Sequence, residues 1–155
     1  MSDESYEVAV IGAGPGGYVA AIRSAQLGLK TALIEKGSTL GGTCLNVGCI
    51  PSKALLHTSE LFHFTTHEAG HPGIKLDSAS LDLYTVMKKK EATVSTLTKG
   101  IDMLIAKRGI KRFEGTGRLT SSNTISITGK SGKTTLKAKK IILATGSAPI
   151  ELPFL

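Results

Sequence analysis

The stretch "YEVAVIGAGPGGYVAAIRSAQLGLKTALIEK", Tyr6 to Lys36, constrains the fold more than any other part of the chain. Val8, Val10 and Ile11 belong to a short apolar run of the kind a sheet buries. Gly12, Gly14 and Gly17 follow at once, in the spacing G-x-G-x-x-G. An alanine-rich segment, Tyr18 to Leu27, then reads as a helix ending at Gly28, and "KTALIE" is a second apolar run. Strand, tight turn, helix and strand within about thirty residues make a βαβ unit with parallel strands.

The glycine spacing alone is a weak signal, but its place between strand and helix gives it a mechanism. Gly12 permits the tight turn, Gly14 lets the backbone approach a pyrophosphate, and Gly17 lets the helix pack close to the strand. The helix N-terminus offers N–H groups and a positive dipole end to phosphates. Glu35 ends the second strand, eighteen residues after Gly17. A carboxylate there accepts both hydroxyls of an adenosine ribose and repels a 2′-phosphate. NAD and FAD are not separated by this pattern, and a ligand-free glycine turn is the plain alternative.

Pro51 to about His67 reads as a further helix, with Ala54, Leu55, Leu61, Phe62 and Phe64 as apolar positions, and "EAGHPGIKLD" breaks it. A longer helix runs from about Leu81 to Arg108. Met87, Val94, Leu97, Ile101, Leu104 and Ile105 recur along it at helical spacing, which reads as core. After Gly109 the period becomes two. "IKRFEGTGRLT", "NTISIT" and "TTLKAKKIILAT" read as short strands joined by "SSN" and "GKSGK", an antiparallel meander. The apolar run Ile141 to Ala144 is expected to return to the parallel sheet. The expected fold class is α/β: a Rossmann-like dinucleotide-binding domain with a parallel sheet, plus a small antiparallel β-meander.

Composition narrows the function classes. With 155 residues, 41% of them hydrophobic and 20% charged, the chain suits one globular domain. Its net charge of +7 raises the question of nucleic acid. The one basic run, Lys88-Lys89-Lys90, has no interleaved aromatics and the chain has no tryptophan, so a solvated helix face is the better reading. No apolar run is long enough to cross a membrane. The acidic start "MSDESYE" has no secretory or transit character, so neither nucleic acid nor membrane is expected as a partner, and the cytoplasm is the expected location.

The chain has two cysteines, Cys44 and Cys49, with four residues between them. On one regular helix they would point about 140° apart and lie about 7.5 Å apart along the axis. A bridge needs Cα atoms within about 7 Å and converging Cβ vectors. Bridging therefore demands a broken backbone, which Asn46 and Gly48 allow, and Pro51 suits a helix start. A redox pair, a zinc half-site and two separate buried thiols all remain open on these residues alone. Zinc usually takes four ligands, and no second cysteine pair exists. "HEAGH", His67 to His71, matches the H-E-x-x-H pattern, but Gly70 within it and Pro72 after it mark a helix end. No metal site is expected, and His57 and His63 read as surface or packing residues.

The flanking residues resemble a known family. "GGTCLNVGCIPSKALL" is similar to the redox-active segment of dihydrolipoamide dehydrogenases, within the flavoprotein disulfide reductases. "VIGAGPGGYVAAIRSAQLG", "EK…LGGTC", "EGTGRL" and "IILATGS" match that family in its order, so the resemblance covers nearly the whole chain. Glutathione reductases usually carry a second lysine where Ser52 stands. The mercuric reductase branch shares the motifs of this part.

The resemblance implies a set of roles. FAD is the bound nucleotide and NAD the co-substrate, its site lying elsewhere. Glu35 holds the adenosine ribose, and Lys36 beside it is a further FAD-binding residue. Gly41, Gly42, Thr43 and Cys44 line the path from pyrophosphate toward flavin, with Lys53 near the flavin. Gly117 offers its backbone near the adenine, and Thr145, Gly146 and Ser147 lie beside the FAD. Cys44 and Cys49 form the redox-active disulfide, with Cys49 on the flavin side and Cys44 meeting the substrate. The implied partners are lipoyl groups of 2-oxoacid dehydrogenase complexes or of the glycine cleavage system, in a homodimer. The family continues into NAD and interface domains, the second bringing a base histidine from the partner subunit. Residues 1–155 are accordingly expected to be the N-terminal part of an FAD-binding domain, inactive alone.

Overall fold

The computed structural model describes residues 5–68, 78–130, 132–152 and 154. Contacts divide the chain into two compact units, residues 1–42 with 99–155, and residues 43–98.

The first unit is built on six strands. They are β1 (Ser5–Ile11), β2 (Thr31–Glu35), β3 (Lys111–Glu114), β4 (Thr116–Ser121), β5 (Thr124–Gly129) and β6 (Gly132–Leu143). Their order in the sheet is β3-β2-β1-β6-β5-β4. The β3–β2, β2–β1 and β1–β6 pairs are parallel, and β6–β5 and β5–β4 are antiparallel. Four residues of β2, Thr31 to Ile34, are buried in a row, as befits a strand covered on both faces. Helix α1 (Pro15–Gln26) crosses between β1 and β2 and packs on both. It turns small side chains inward: Gly17, Ala21 and Ser24 are buried. The Ser24 hydroxyl donates to the Ala20 carbonyl at 2.8 Å, which satisfies it there. Gly28, with φ +81°, ends the helix, its N–H donating to Ala25 O.

The meander and the parallel strands share one core. Ala9 and Ile11 of β1 and Ala32 and Ile34 of β2 cluster with Ile125 and Ile127 of β5 and Leu136 and Ala138 of β6. Each large apolar side chain buried there contributes about 1.5–3 kcal/mol.

Two details depart from the sequence reading. "IKRFEGTGRLT" is two strands: β3 joins the parallel sheet beside β2, and only β4 joins the meander. The break is Gly115, at φ +155°, whose N–H donates to Glu35 O at 2.8 Å. β6 is one strand of 12 residues with two partners. It is antiparallel to β5 over Gly132–Lys137 and parallel to β1 over Lys137–Leu143.

The second unit holds most of α2 (Gly42–Asn46), α3 (Cys49–His63), a π-helical turn (Phe64–Glu68) and the first part of α4 (Leu83–Lys107). The expected cores of the two long helices are only partly realised. In α3, Leu61 is exposed and Pro51 is the buried residue; Phe64 beyond it is exposed too. In α4, Ile101 and Ile105 are buried, while Met87, Leu97 and Leu104 are exposed. Helical spacing identifies a face without saying what covers it. Most of "EAGHPGIKLD", including His71 of the H-E-x-x-H match, lies outside the described residues. No helix among the described residues is long and apolar enough to cross a membrane.

Candidate functional site

β1 lies between β2 and β6, where the strand order changes direction: β2 and β3 lie on one side and the later strands on the other. Open α/β sheets bind ligands at the carboxyl ends of strands at such a point. A cleft of about 200 Å³ lies there, lined by Ile11, Gly12, Glu35, Lys36, Gly117 and Thr145 among others. It brings together five of the residues expected at a nucleotide.

Backbone geometry explains the first glycine. Gly12 has φ +99°, and a Cβ on it would lie 2.2 Å from Ala144 O, so the strand end of β6 can approach only a glycine. Gly14 is the N-cap of α1; no side chain caps that turn and no acidic residue stands in it. No side chain of α1's own first turn neutralises its positive end, and the nearest anion is the Glu35 carboxylate on the Ala13 amide. Gly14 also faces Gly42, where a Cβ would come within 2.6 Å of the Gly14 Cα. Gly41 is tied to the same turn, its N–H donating to Ala13 O at 2.9 Å. Gly146 and Ser147 follow Thr145 but are not part of the cleft wall.

Glu35 is held by two backbone amides: Ala13 N–H donates to Oε2 at 2.7 Å, and Gly37 N–H to Oε1 at 2.8 Å. A carboxylate has about four acceptor positions, so each oxygen keeps one for a hydroxyl. Opposite it, Gly117 of β4 brings its backbone onto the sheet; a Cβ would stand 3.2 Å from side-chain carbons of Ile11 and Ile34. The cleft is smaller than the roughly 300–1,000 Å³ usual for a drug-sized ligand. The sequence reading missed Ala13 as a donor, and also Arg112, whose guanidinium donates to the carbonyls of Gly37 and Ser38. No local pattern marks Arg112, because its loop partners lie 75 and 74 positions away.

The second unit carries the cysteines. Val47 and Gly48 interrupt the helical path between α2 and α3, and both their N–H groups donate to Thr43 O, at 3.0 and 2.8 Å. The interruption returns Cys49, first residue of α3, to Cys44. Both are free thiols, Cys44 half-buried and Cys49 exposed. A hydrogen bond with the Cys49 side chain raises the Cys44 thiol above its usual range, and burial adds to this. The Cys49 backbone N–H and the charge of Lys53 oppose it more weakly. Such a pair can exchange between dithiol and disulfide without moving two chain segments together. Thr43 lies in α2 and Lys53 one turn into α3. Among the described residues, no three His, Cys, Asp or Glu side chains are grouped to hold a metal.

A nucleotide cleft on a glycine-turn α/β sheet, in a chain that also carries a contacting thiol pair, defines a flavoprotein-type disulfide oxidoreductase. The model of the pyridine nucleotide-disulphide oxidoreductases matches residues 6–154, and the chain belongs to that family. Members are FAD-dependent. The chain is 54% identical over 98% of its length to a leghemoglobin reductase of Vigna unguiculata, covering 29% of that protein. It is 51% identical over 92% of its length to a mitochondrial dihydrolipoyl dehydrogenase of Schizosaccharomyces pombe, covering 28% of it. A mitochondrial dihydrolipoyl dehydrogenase of Arabidopsis thaliana is 50% identical over 98% of the chain, which spans 30% of it. The flavoprotein disulfide reductase RclA of Escherichia coli, solved as a Cu(II) complex, shares the fold. Its TM-score is 0.81 at 24% identity, over 97% of this chain and 30% of that one. The chain thus spans less than a third of the length of these curated relatives.

Proposed function

We propose that Cys44 and Cys49 act as a dithiol–disulfide couple that oxidises dihydrolipoamide to lipoamide, within a dihydrolipoamide dehydrogenase. The observation that carries this reading is the paired thiols of Cys44 in α2 and Cys49 at the start of α3, the latter one turn before Lys53. In the oxidised couple a disulfide joins the two sulfurs. One thiolate of dihydrolipoamide attacks the Cys44 sulfur, the S–S bond breaks, and Cys49 leaves as a thiolate. The second substrate thiol loses its proton to a base and attacks the substrate sulfur of the mixed disulfide. Cys44 leaves as a thiolate and the lipoyl ring closes. Two electrons have then passed to the pair, and both thiol protons have been released. The positive end of α3 and the Lys53 ammonium favour the negative charge that develops on the sulfurs. FAD, when bound, would supply the electron acceptor for the reduced pair and the hydride donor toward NAD+.

In this reading Glu35 holds the adenosine ribose with Lys36 beside it at the FAD, Gly117 lies near the adenine, and the start of α1 at Gly14 takes the pyrophosphate. Gly41, Gly42, Thr43 and Lys53 follow toward the flavin, Cys49 is the flavin-side thiol, and Thr145, Gly146 and Ser147 flank the FAD. Lipoyl groups of 2-oxoacid dehydrogenase complexes or of the glycine cleavage system are the partners, and the working enzyme is a homodimer. The NAD site and the general base belong to parts of a longer protein. The location is the cytoplasm or, as for two relatives named above, a mitochondrion; thiols stay reduced in the first.

The test uses the oxidised chain and stoichiometric dihydrolipoamide. The chain gains two titratable thiols, and Cys44→Ser and Cys49→Ser gain none. Steady NADH formation by the chain with added FAD stays far below that of a full-length dehydrogenase. An oxidised chain without a Cys44–Cys49 disulfide, or one that dihydrolipoamide leaves oxidised, rules the reading out. The 54% identity to a leghemoglobin reductase supports a second reading, reduction of a haem protein by the same couple. Its signature is reduction of ferric leghemoglobin that is lost in Cys44→Ser.

A further inference from the structure

We propose that Arg112 is a positioning residue for the adenosine end of the cleft, fixing the loop after β2 so that Glu35 stays aimed at a ribose. The inference rests on the reading of Glu35 given above. Arg112 lies in β3, paired with Leu33 of β2. Its Nη2 donates to Gly37 O at 3.3 Å and Ser38 O at 2.7 Å, and its Nη1 donates to Asp102 Oδ1 at 2.9 Å. Gly37 in turn donates its N–H to Glu35 Oε1. A continuous set of contacts therefore runs from Asp102 on α4 through Arg112 and the loop to the Glu35 carboxylate.

The orientation of the guanidinium shows which partner sets it. Arg112 Nε is buried and has no hydrogen-bond partner among the described residues. A guanidinium arranged for a carboxylate would present two parallel N–H bonds as a fork. Here one Nη meets Asp102 and the other meets two loop carbonyls, while Nε is left unpaired. The loop takes precedence, although a buried unpaired N–H is unfavourable. Lysine cannot reproduce this, because one ammonium cannot span a carboxylate and two carbonyls in a fixed plane. Freed from Arg112, residues 37 and 38 lose their tie to β3 and α4, and Glu35 keeps only the Ala13 amide as a fixed partner.

The experiment measures binding of ADP and of 2′-deoxy-ADP to the chain by calorimetry. Wild type prefers ADP by about tenfold or more, the worth of one hydrogen bond to a carboxylate. Arg112→Ala narrows that preference to within about twofold and changes 2′-deoxy-ADP affinity by less than about threefold. Arg112→Lys, which keeps the charge beside Asp102 should the alanine variant fail to fold, narrows it likewise. General loosening of the fold would weaken both ligands together and leave the ratio intact. A ratio unchanged in a folded Arg112 variant overturns the inference. Glu35→Gln separates the two levels. If it abolishes the preference while the Arg112 variants keep it, the cleft reading stands and the role of Arg112 falls. If Glu35→Gln keeps the preference, or wild type does not bind ADP, the cleft reading fails and the inference with it.

Discussion

A Cβ built on Gly17 would lie 1.8 Å from the carbonyl oxygen of Gly12. The obstacle is backbone, so no side-chain rotation relieves it. Gly17→Ala must push α1 away from the turn, at a cost upward of about 3 kcal/mol. The neighbouring Gly16 has nothing within 4 Å of such a Cβ. Gly16→Ala should instead stabilise the helix by about 0.5–1 kcal/mol. Urea denaturation of the two variants measures both numbers, and equal effects would contradict the close packing of α1 on the turn.

The thiol pair predicts a pH profile. Cys44 is raised chiefly by its hydrogen bond with Cys49, then by burial. A raised acid keeps its proton to higher pH, so at any given pH less of it is thiolate and it alkylates more slowly. In the reduced chain, iodoacetamide labelling of Cys44 should rise only above the usual thiol value of about 8.5. Cys49→Ala removes the largest cause, and the labelling profile of Cys44 should move to lower pH, with a several-fold faster rate at pH 8. Mass spectrometry of the Cys44 peptide against pH reads this directly. An unmoved profile would show that the Cys49 thiol does not hold the Cys44 proton.

β6 joins the two halves of the sheet, so damage to its centre should reach both. Leu136 is 1% exposed and belongs to the shared core. Leu136→Ala should cost about 2–5 kcal/mol. Hydrogen exchange should speed up by the same factor in β1, on the parallel side, and in β5, on the antiparallel side. Protection lost in β5 alone would mean that the meander opens as a separate unit.

The βαβ unit was legible because its signals are local: an apolar run, glycines at fixed offsets, an alanine-rich helix, and an acid closing the second strand. The return of Ile141 to Leu143 to the parallel sheet was legible from its continuous apolar run, although Ile142 and Leu143 are exposed among the described residues. What escaped is what depends on distant partners. A period of two runs through Gly115 without a pause, so nothing in "IKRFEGTGRLT" says that Phe113 pairs with Ile34 while Gly117 pairs with Ile127. The need for an interruption between the cysteines was legible from helix geometry, but the five-residue α2 before it was not. Arg112 reads as an ordinary charged residue in a strand, and only the fold brings it to Asp102, Gly37 and Ser38.

The placement of β6 also bears on how the chain emerges from a ribosome. β1 finds one neighbour, β2, within the first βαβ unit, but its other neighbour comes late: Ser5 pairs with Lys137 and Ile11 with Leu143. At a synthesis rate of about 5–20 residues per second, that edge of β1 waits roughly 7–26 s for its partner. Throughout that interval it presents open N–H and C=O groups to any other nascent strand nearby. When β6 arrives it covers that edge of β1 and anchors the meander in one step, so the nascent chain passes late and abruptly from two separate strand groups to one sheet.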